Sequence, residues 1–140
     1  MANKVKPELS GNNPHHISKH RYYELKHFCL QYSEWKRDIK RLDAMEVKAL
    51  NPSTERLGNS DLGNPTEKIA RARTRISRRI EMLEECSTLT DSYLGSYILE
   101  GVTNGYSYET IKARLEIPCC RDMYYELYRK FFWVLHKLRD

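Results

Sequence analysis

The chain has 140 residues, 40% of them apolar and 31% charged, with a mean hydropathy of -0.74. No stretch approaches the roughly 18 consecutive apolar residues that a membrane span requires, and the opening MANKVKPELSGNNPHH has no apolar block of the secretory-signal kind. These properties predict a soluble cytoplasmic protein, of a size for one domain or two small helical lobes, and they make a net charge of +5 informative only where the charge clusters.

Residues 1–17 carry Pro7, Gly11, Asn12, Asn13 and Pro14, a turn-favouring composition with little to bury, and read as a flexible arm. Ser18 then stands as an N-cap before Tyr22, Leu25, Phe28, Cys29 and Tyr32, whose spacing predicts one apolar stripe on a helix to about residue 31. Ser33 can cap a second helix with Trp35, Ile39, Leu42 and Met45 on one side and Lys36, Arg37, Asp38, Lys40 and Arg41 mostly on the other. Residues 50–63, with Pro52, Gly58 and Gly63 among short polar residues, read as a linker between this 18–49 region and a 64–140 region.

Asn64, Pro65 and Glu67 give the clearest helix start in the sequence, and the helix they open is predicted to run to about Ser87. Asp91 is read as the cap of a fourth helix stopped at Gly101, and Ser107 as the cap of a fifth ending at Leu115. Ile117 and Pro118 break the chain before a last helix from about Cys120 to Leu138, striped by Met123, Leu127, Phe131, Val134 and Leu138. With no strand alternation anywhere, the predicted fold is all-α: N-terminal helices, a long basic helix and a C-terminal helix-turn-helix.

The four cysteines and five histidines form no recognised ligand pattern, Cys119 and Cys120 being adjacent rather than spaced for a tetrahedral ion. Four free thiols, no metal and no cofactor are expected. Nothing resembles a phosphate-cradling glycine loop, a nucleophile elbow or an H-E-x-x-H helix, so no catalytic residue and no enzyme activity are predicted.

Two helices carry the charge. In the third, Ile69, Ala72, Ile76, Ile80 and Leu83 define the face to be buried, while Lys68, Arg71, Arg75, Arg78 and Arg79 line a separate ridge; residues 68–79 hold six basic groups and no acidic one. A solubility face normally mixes signs, whereas like charges crowded on one helix repel one another, which points to a polyanion or an acidic protein surface as partner. In the last helix the same projection gathers Arg121, Tyr125, Tyr128, Arg129, Phe132 and His136 opposite the apolar stripe, with Phe132 and Trp133 expected in packing or dimerisation. Arginine and tyrosine together suit nucleic acid.

The segment GYSYETIKARLEIPCCRDMYYELYRKFF places a capped short helix, an Ile-Pro break and a longer helix in the helix-turn-helix order. Tyr108, Ile111 and Leu115 would seat the first helix, Ile117 would plug the turn, and Met123 and Leu127 would hold the second. Cys120, Arg121, Asp122, Tyr124, Tyr125, Tyr128 and Arg129 then remain to face a major groove, with Arg129 and Lys130 on phosphates.

Within it, GYSYETIKARLEIP resembles the G-x-S-Y-x-E-I-A-x-x-L-G-I-P pattern of region four of bacterial sigma factors, departing at Glu116, where that pattern often has Gly, and placing Met123 one position late. Over residues 18–139, the runs LKHFCLQYSEWKRDIKRLD, PTEKIARARTRISRRIEMLEE and YSYETIKARLEIPCCRDMYYELYRKFFWVL are similar to phage late-transcription regulators of the RinA and ArpU type, found in prophages of Gram-positive bacteria. This resemblance implies a sequence-specific double-stranded DNA-binding activator of late phage genes, working with host RNA polymerase, and a homodimer would set two reading helices one turn apart on a repeated site. Two other readings stand beside it: a small terminase subunit for DNA packaging, and a phage inhibitor docked on a host or defence protein.

Overall fold

Six helices account for almost all of the chain described by the computed structural model, which covers residues 14–49 and 64–139. They are α1 (Lys19–Leu30), α2 (Tyr32–Ala49), α3 (Pro65–Thr90), α4 (Gly95–Asn104), α5 (Tyr108–Leu115) and α6 (Arg121–Arg139), with no strand among the described residues. The fold is all-α. Most of the predicted arm and the whole 50–63 linker lie outside the described residues.

Local chemistry sets the helix ends. The Ser18 hydroxyl accepts from the Arg21 N–H at 3.3 Å, and the Asn64 carboxamide oxygen accepts from the Glu67 N–H at 2.7 Å, each satisfying an otherwise orphaned donor. The Asp91 carboxylate accepts from the Tyr93 and Leu94 N–H groups at 3.0 and 2.6 Å, holding the turn between α3 and α4.

Glycine 101 does not stop α4, as its residue type suggested. It lies buried inside the helix, where an added Cβ would overlap the Tyr124 hydroxyl, so its role is close packing under α6. The stop comes later, at Gly105, whose φ of 70° is a left-handed conformation that a residue without Cβ adopts at little cost.

Contacts divide the chain into two units. The first holds α1, α3 from Met82 onward, α4, α5 and α6; the second holds α2 from Ser33 and α3 through Glu81. The single 64–140 region of the sequence reading is therefore cut within α3.

In the first unit, α1 buries Tyr22, Leu25, Phe28 and Cys29, the stripe predicted from its periodicity. Leu83 and Cys86 of α3, Ile98 and Val102 of α4, Ile111 of α5 and Phe131, Phe132 and Leu135 of α6, each no more than 1% exposed, complete the core. Full burial of such side chains stabilises by about 1.5–3 kcal/mol each. Rings run in near-continuous contact from Tyr108 through Tyr124, Tyr128 and Phe132 to Tyr22, with centroids 5.1–5.9 Å apart, in the tilted and edge-on arrangements that aromatic quadrupoles favour. The Arg21 guanidinium donates to the His136 ring at 2.9 Å, which ties α1 to α6.

Part of the predicted arm is packed. Ile17 is 4% exposed, and the His15 ring lies 5.2 Å from the Trp133 ring.

The second unit is thinner. Arg73 of α3 donates to the Asp43 carboxylate of α2 at 2.6 Å, and Arg79 lies 5.7 Å above the Trp35 ring, so the two helices run antiparallel. Trp35, Leu42 and Ile69 are buried, but Ile39, Ala72, Ile76 and Ile80 are only half-buried, and Met45, expected on the apolar side, is 41% exposed.

Candidate nucleic-acid interface

Ser107 caps α5 by accepting from the Thr110 N–H at 3.3 Å, and Ile111 and Ile117 are fully buried, so the short helix and the turn are both pinned to the core. Leu115, expected to help seat α5, is instead 41% exposed.

Between them Glu116 adopts φ 54°, ψ 47° and donates its N–H to the Lys112 carbonyl at 2.9 Å, closing α5 in the left-handed conformation that the sigma pattern's glycine would enter more readily. The Lys112 ammonium donates to the Ile117 carbonyl at 3.2 Å, and the Tyr108 hydroxyl to the Cys119 carbonyl at 2.8 Å. Five residues of turn thus deliver α6, whose first N–H bond runs from Tyr124 to the Cys120 carbonyl.

The rotational setting of α6 differs from the one read from sequence. Tyr124 and Tyr128, expected to face a groove, are 0% and 9% exposed, whereas Met123, expected in the core, is 43% exposed. The physical cause is that α1, α4 and α5 all pack on α6. A helix covered from three sides buries a wide arc, and Tyr124 and Tyr128 fall within it, the Tyr124 hydroxyl donating to the Tyr106 carbonyl at 2.8 Å. Burial pushes the Tyr124 and Tyr128 phenols above their ordinary range. Both leave the set of groove-facing candidates.

Tyr125 is half-buried, and its hydroxyl accepts from the Tyr108 N–H at 3.0 Å. Phe132 is core, packed edge-on against Tyr22 at 5.1 Å.

The outward surface of the first turns of α6 is therefore Cys120, Arg121, Asp122, Met123 and Glu126, one cation among two carboxylates. Arg121 donates to Glu109 at 3.1 Å and lies 5.5 Å over the Tyr125 ring. That ion pair is solvent-exposed, a kind worth about 0–1 kcal/mol, so the guanidinium can be recruited elsewhere. Further along, Arg129 and Lys130 are half-buried, with their charge on the same side as Glu126 by helical spacing.

On α3 the six cations sort by surroundings, Arg79 lying over the Trp35 ring. Lys68, Arg71, Arg75, Arg78 and Arg79 are exposed, while the sixth cation, Arg73, turns to Asp43. Arg71 reaches Glu67 only at 3.8 Å, and Lys68, Arg75 and Arg78 make no ion pair among the described residues. Lys68, Arg71, Arg75 and Arg78 follow spacings of three, four and three, a line of positive charge about 15 Å long.

The sequence reading passed over Lys112 and Arg114 on α5, both exposed, with Arg114 5.2 Å over the Tyr106 ring. It also passed over His15. The basic spacing of α5 was visible in KAR; nothing in the tail's composition signalled that His15 would dock.

The described residues contain no group of three or more His, Cys, Asp and Glu suited to a metal ion, and no helix among them is long and apolar enough to cross a membrane. No family model, curated protein or solved structure matches the chain.

Proposed function

We propose that this protein is a phage-encoded transcriptional regulator that binds double-stranded DNA in a bacterial cytoplasm through α5 and α6. The observation that carries this reading is the five-residue turn closed by buried Ile117, which delivers α6 with Cys120, Arg121, Asp122 and Met123 exposed on its first turn. A helix presented end-first in this way can enter a major groove, where Arg121 and Asp122 meet base edges and Arg129 and Lys130 meet phosphates. Lys68, Arg71, Arg75, Arg78 and Arg79 add sequence-independent affinity through phosphate contacts.

The likeness of the chain's motifs to late-gene activators supports activation with host RNA polymerase, and a homodimer would suit a repeated site. The reading assigns binding rather than catalysis.

Mapping of bound sites in the native host, with Arg121→Ala and Arg129→Ala as controls, tests it. The expected result is discrete sites lost in both variants while helical content is kept. Absence of any duplex binding at low salt would overturn the assignment and favour docking on an acidic protein surface. A ring of many subunits in solution would favour the packaging role instead.

A further inference from the structure

The short segment before α1 lies on α6, not free in solvent. Ile17 anchors it at 4% exposure, and the His15 ring sits 5.2 Å from that of Trp133 at an interplanar angle of 56°. Helical spacing puts Glu126, Arg129, Lys130 and Lys137 on the face that carries Trp133. Lys137 confirms this by standing 4.9 Å over the same indole. A tail imidazole is thereby added to the side of α6 that carries Arg129, Lys130 and Lys137 together with the Glu126 carboxylate.

We infer that His15 joins Arg129 and Lys130 in holding a backbone phosphate of duplex DNA and takes up a proton as it does so. This rests on the DNA-binding reading above. It adds to that reading a residue from outside the helix-turn-helix and a dependence of affinity on pH.

The electrostatics of the free protein fit. Burial, and then the Lys130 charge, hold the His15 imidazole below its ordinary pKa; Arg129 acts in the same direction, and Glu126 opposes them. His16 in its own segment and Lys19, His20 and Arg21 in the first turn of α1 are the neighbouring titratable and charged groups. These surroundings favour the neutral imidazole in the free protein.

A phosphate diester set against Arg129 and Lys130 reverses the local field. The imidazolium becomes the favoured form, and its N–H joins the guanidinium fork and the ammonium as a charge-assisted donor. The sign follows directly: because the complex binds a proton more tightly than the free protein, affinity rises as pH falls through the raised pKa of His15 in the complex and levels off once pH falls below the lower pKa of the free protein. The gain is at most about tenfold for each unit by which the phosphate raises His15.

The test compares wild type with His15→Phe, which keeps a ring against Trp133 but cannot titrate. Duplex affinity is measured from pH 8 to pH 6 at fixed low salt, and the His15 pKa is followed by proton NMR in the free protein, with duplex and with inorganic phosphate. Expected are a several-fold gain in wild-type affinity toward pH 6 that is lost in His15→Phe, and an upward shift of the His15 pKa with duplex.

Equal pH profiles in the two proteins, or duplex binding that leaves the His15 pKa unmoved, would overturn this inference and leave the DNA-binding reading intact. A shift produced by inorganic phosphate and not by duplex would also overturn it, marking a site for free anions. No duplex binding by either protein at any pH would remove both.

Discussion

Tyr124 and Gly101 occupy one another's space: the tyrosine hydroxyl, bonded to the Tyr106 carbonyl at 2.8 Å, fills the position a Cβ on residue 101 would take. Removing the hydroxyl in Tyr124→Phe leaves that carbonyl short of a donor and should destabilise by about 1–2 kcal/mol. Gly101→Ala forces the ring aside and should cost about 1–3 kcal/mol. The double variant should be less destabilised than the two single effects added, because the clash needs the hydroxyl. Urea unfolding of the four proteins measures this, and strict additivity would show that the contact is not shared.

Glu116 pays a conformational cost at φ 54° that glycine avoids. Glu116→Gly should raise stability by about 0.5–1 kcal/mol, the gain in the turn exceeding the extra entropy of the unfolded chain. A fall in melting temperature would mean that the turn owes its shape to the Glu116 side chain.

The four thiols should separate by environment. Cys29 is fully buried, its pKa pushed up by burial, and Cys86 is also buried, its pKa raised to about 12. Cys120 is exposed and Cys119 half-buried, its thiol raised by burial. A disulfide reagent at pH 8 should modify Cys120 first, Cys119 more slowly, and the other two only on unfolding. Early modification of Cys86 would show that the α3–α6 packing opens readily.

On the α3 ridge, Arg75→Ala with Arg78→Ala should weaken binding similarly on all duplex sequences and reduce the slope of log affinity against log salt by about two. Arg121→Ala should instead narrow the difference between specific and random duplex. Unchanged affinity in the ridge variant would assign that face to another partner.

The Asp43 carboxylate is held below the usual carboxylate range by its hydrogen bond from Arg73. A lowered folded-state value means that the contribution is present above the unfolded-state value near 4 and is lost as pH falls through the lower one. Asp43→Asn should therefore melt slightly below wild type at pH 7 and together with it at pH 2. A difference that persists at pH 2 would point to packing rather than charge.

Much of the fold was legible because it rests on local chemistry. Ser18, Asn64 and Ser107 cap the helices assigned to them, and the α1 stripe is buried as spaced. The setting of α6 was not legible. Tyrosine is equally at home in a core and in a groove, and periodicity alone could not tell that three helices would cover this one; Tyr124 and Tyr128 went inward and Met123 outward. Gly101 misled for a related reason: a glycine that admits a neighbour and a glycine that ends a helix look the same until the neighbour is known. Of the candidate interface, the arginines survived the change of setting and the tyrosines largely did not.

The aromatic series from Tyr108 to Tyr22 locks α6 by its inner side alone. Each ring is held in a tilted or edge-on contact with the next, so the setting of α6 is fixed by residues that its outer positions do not touch. Asp122, Met123 and Glu126, all exposed, can consequently be exchanged without unseating the rod, leaving a scaffold on which new target preferences can be written.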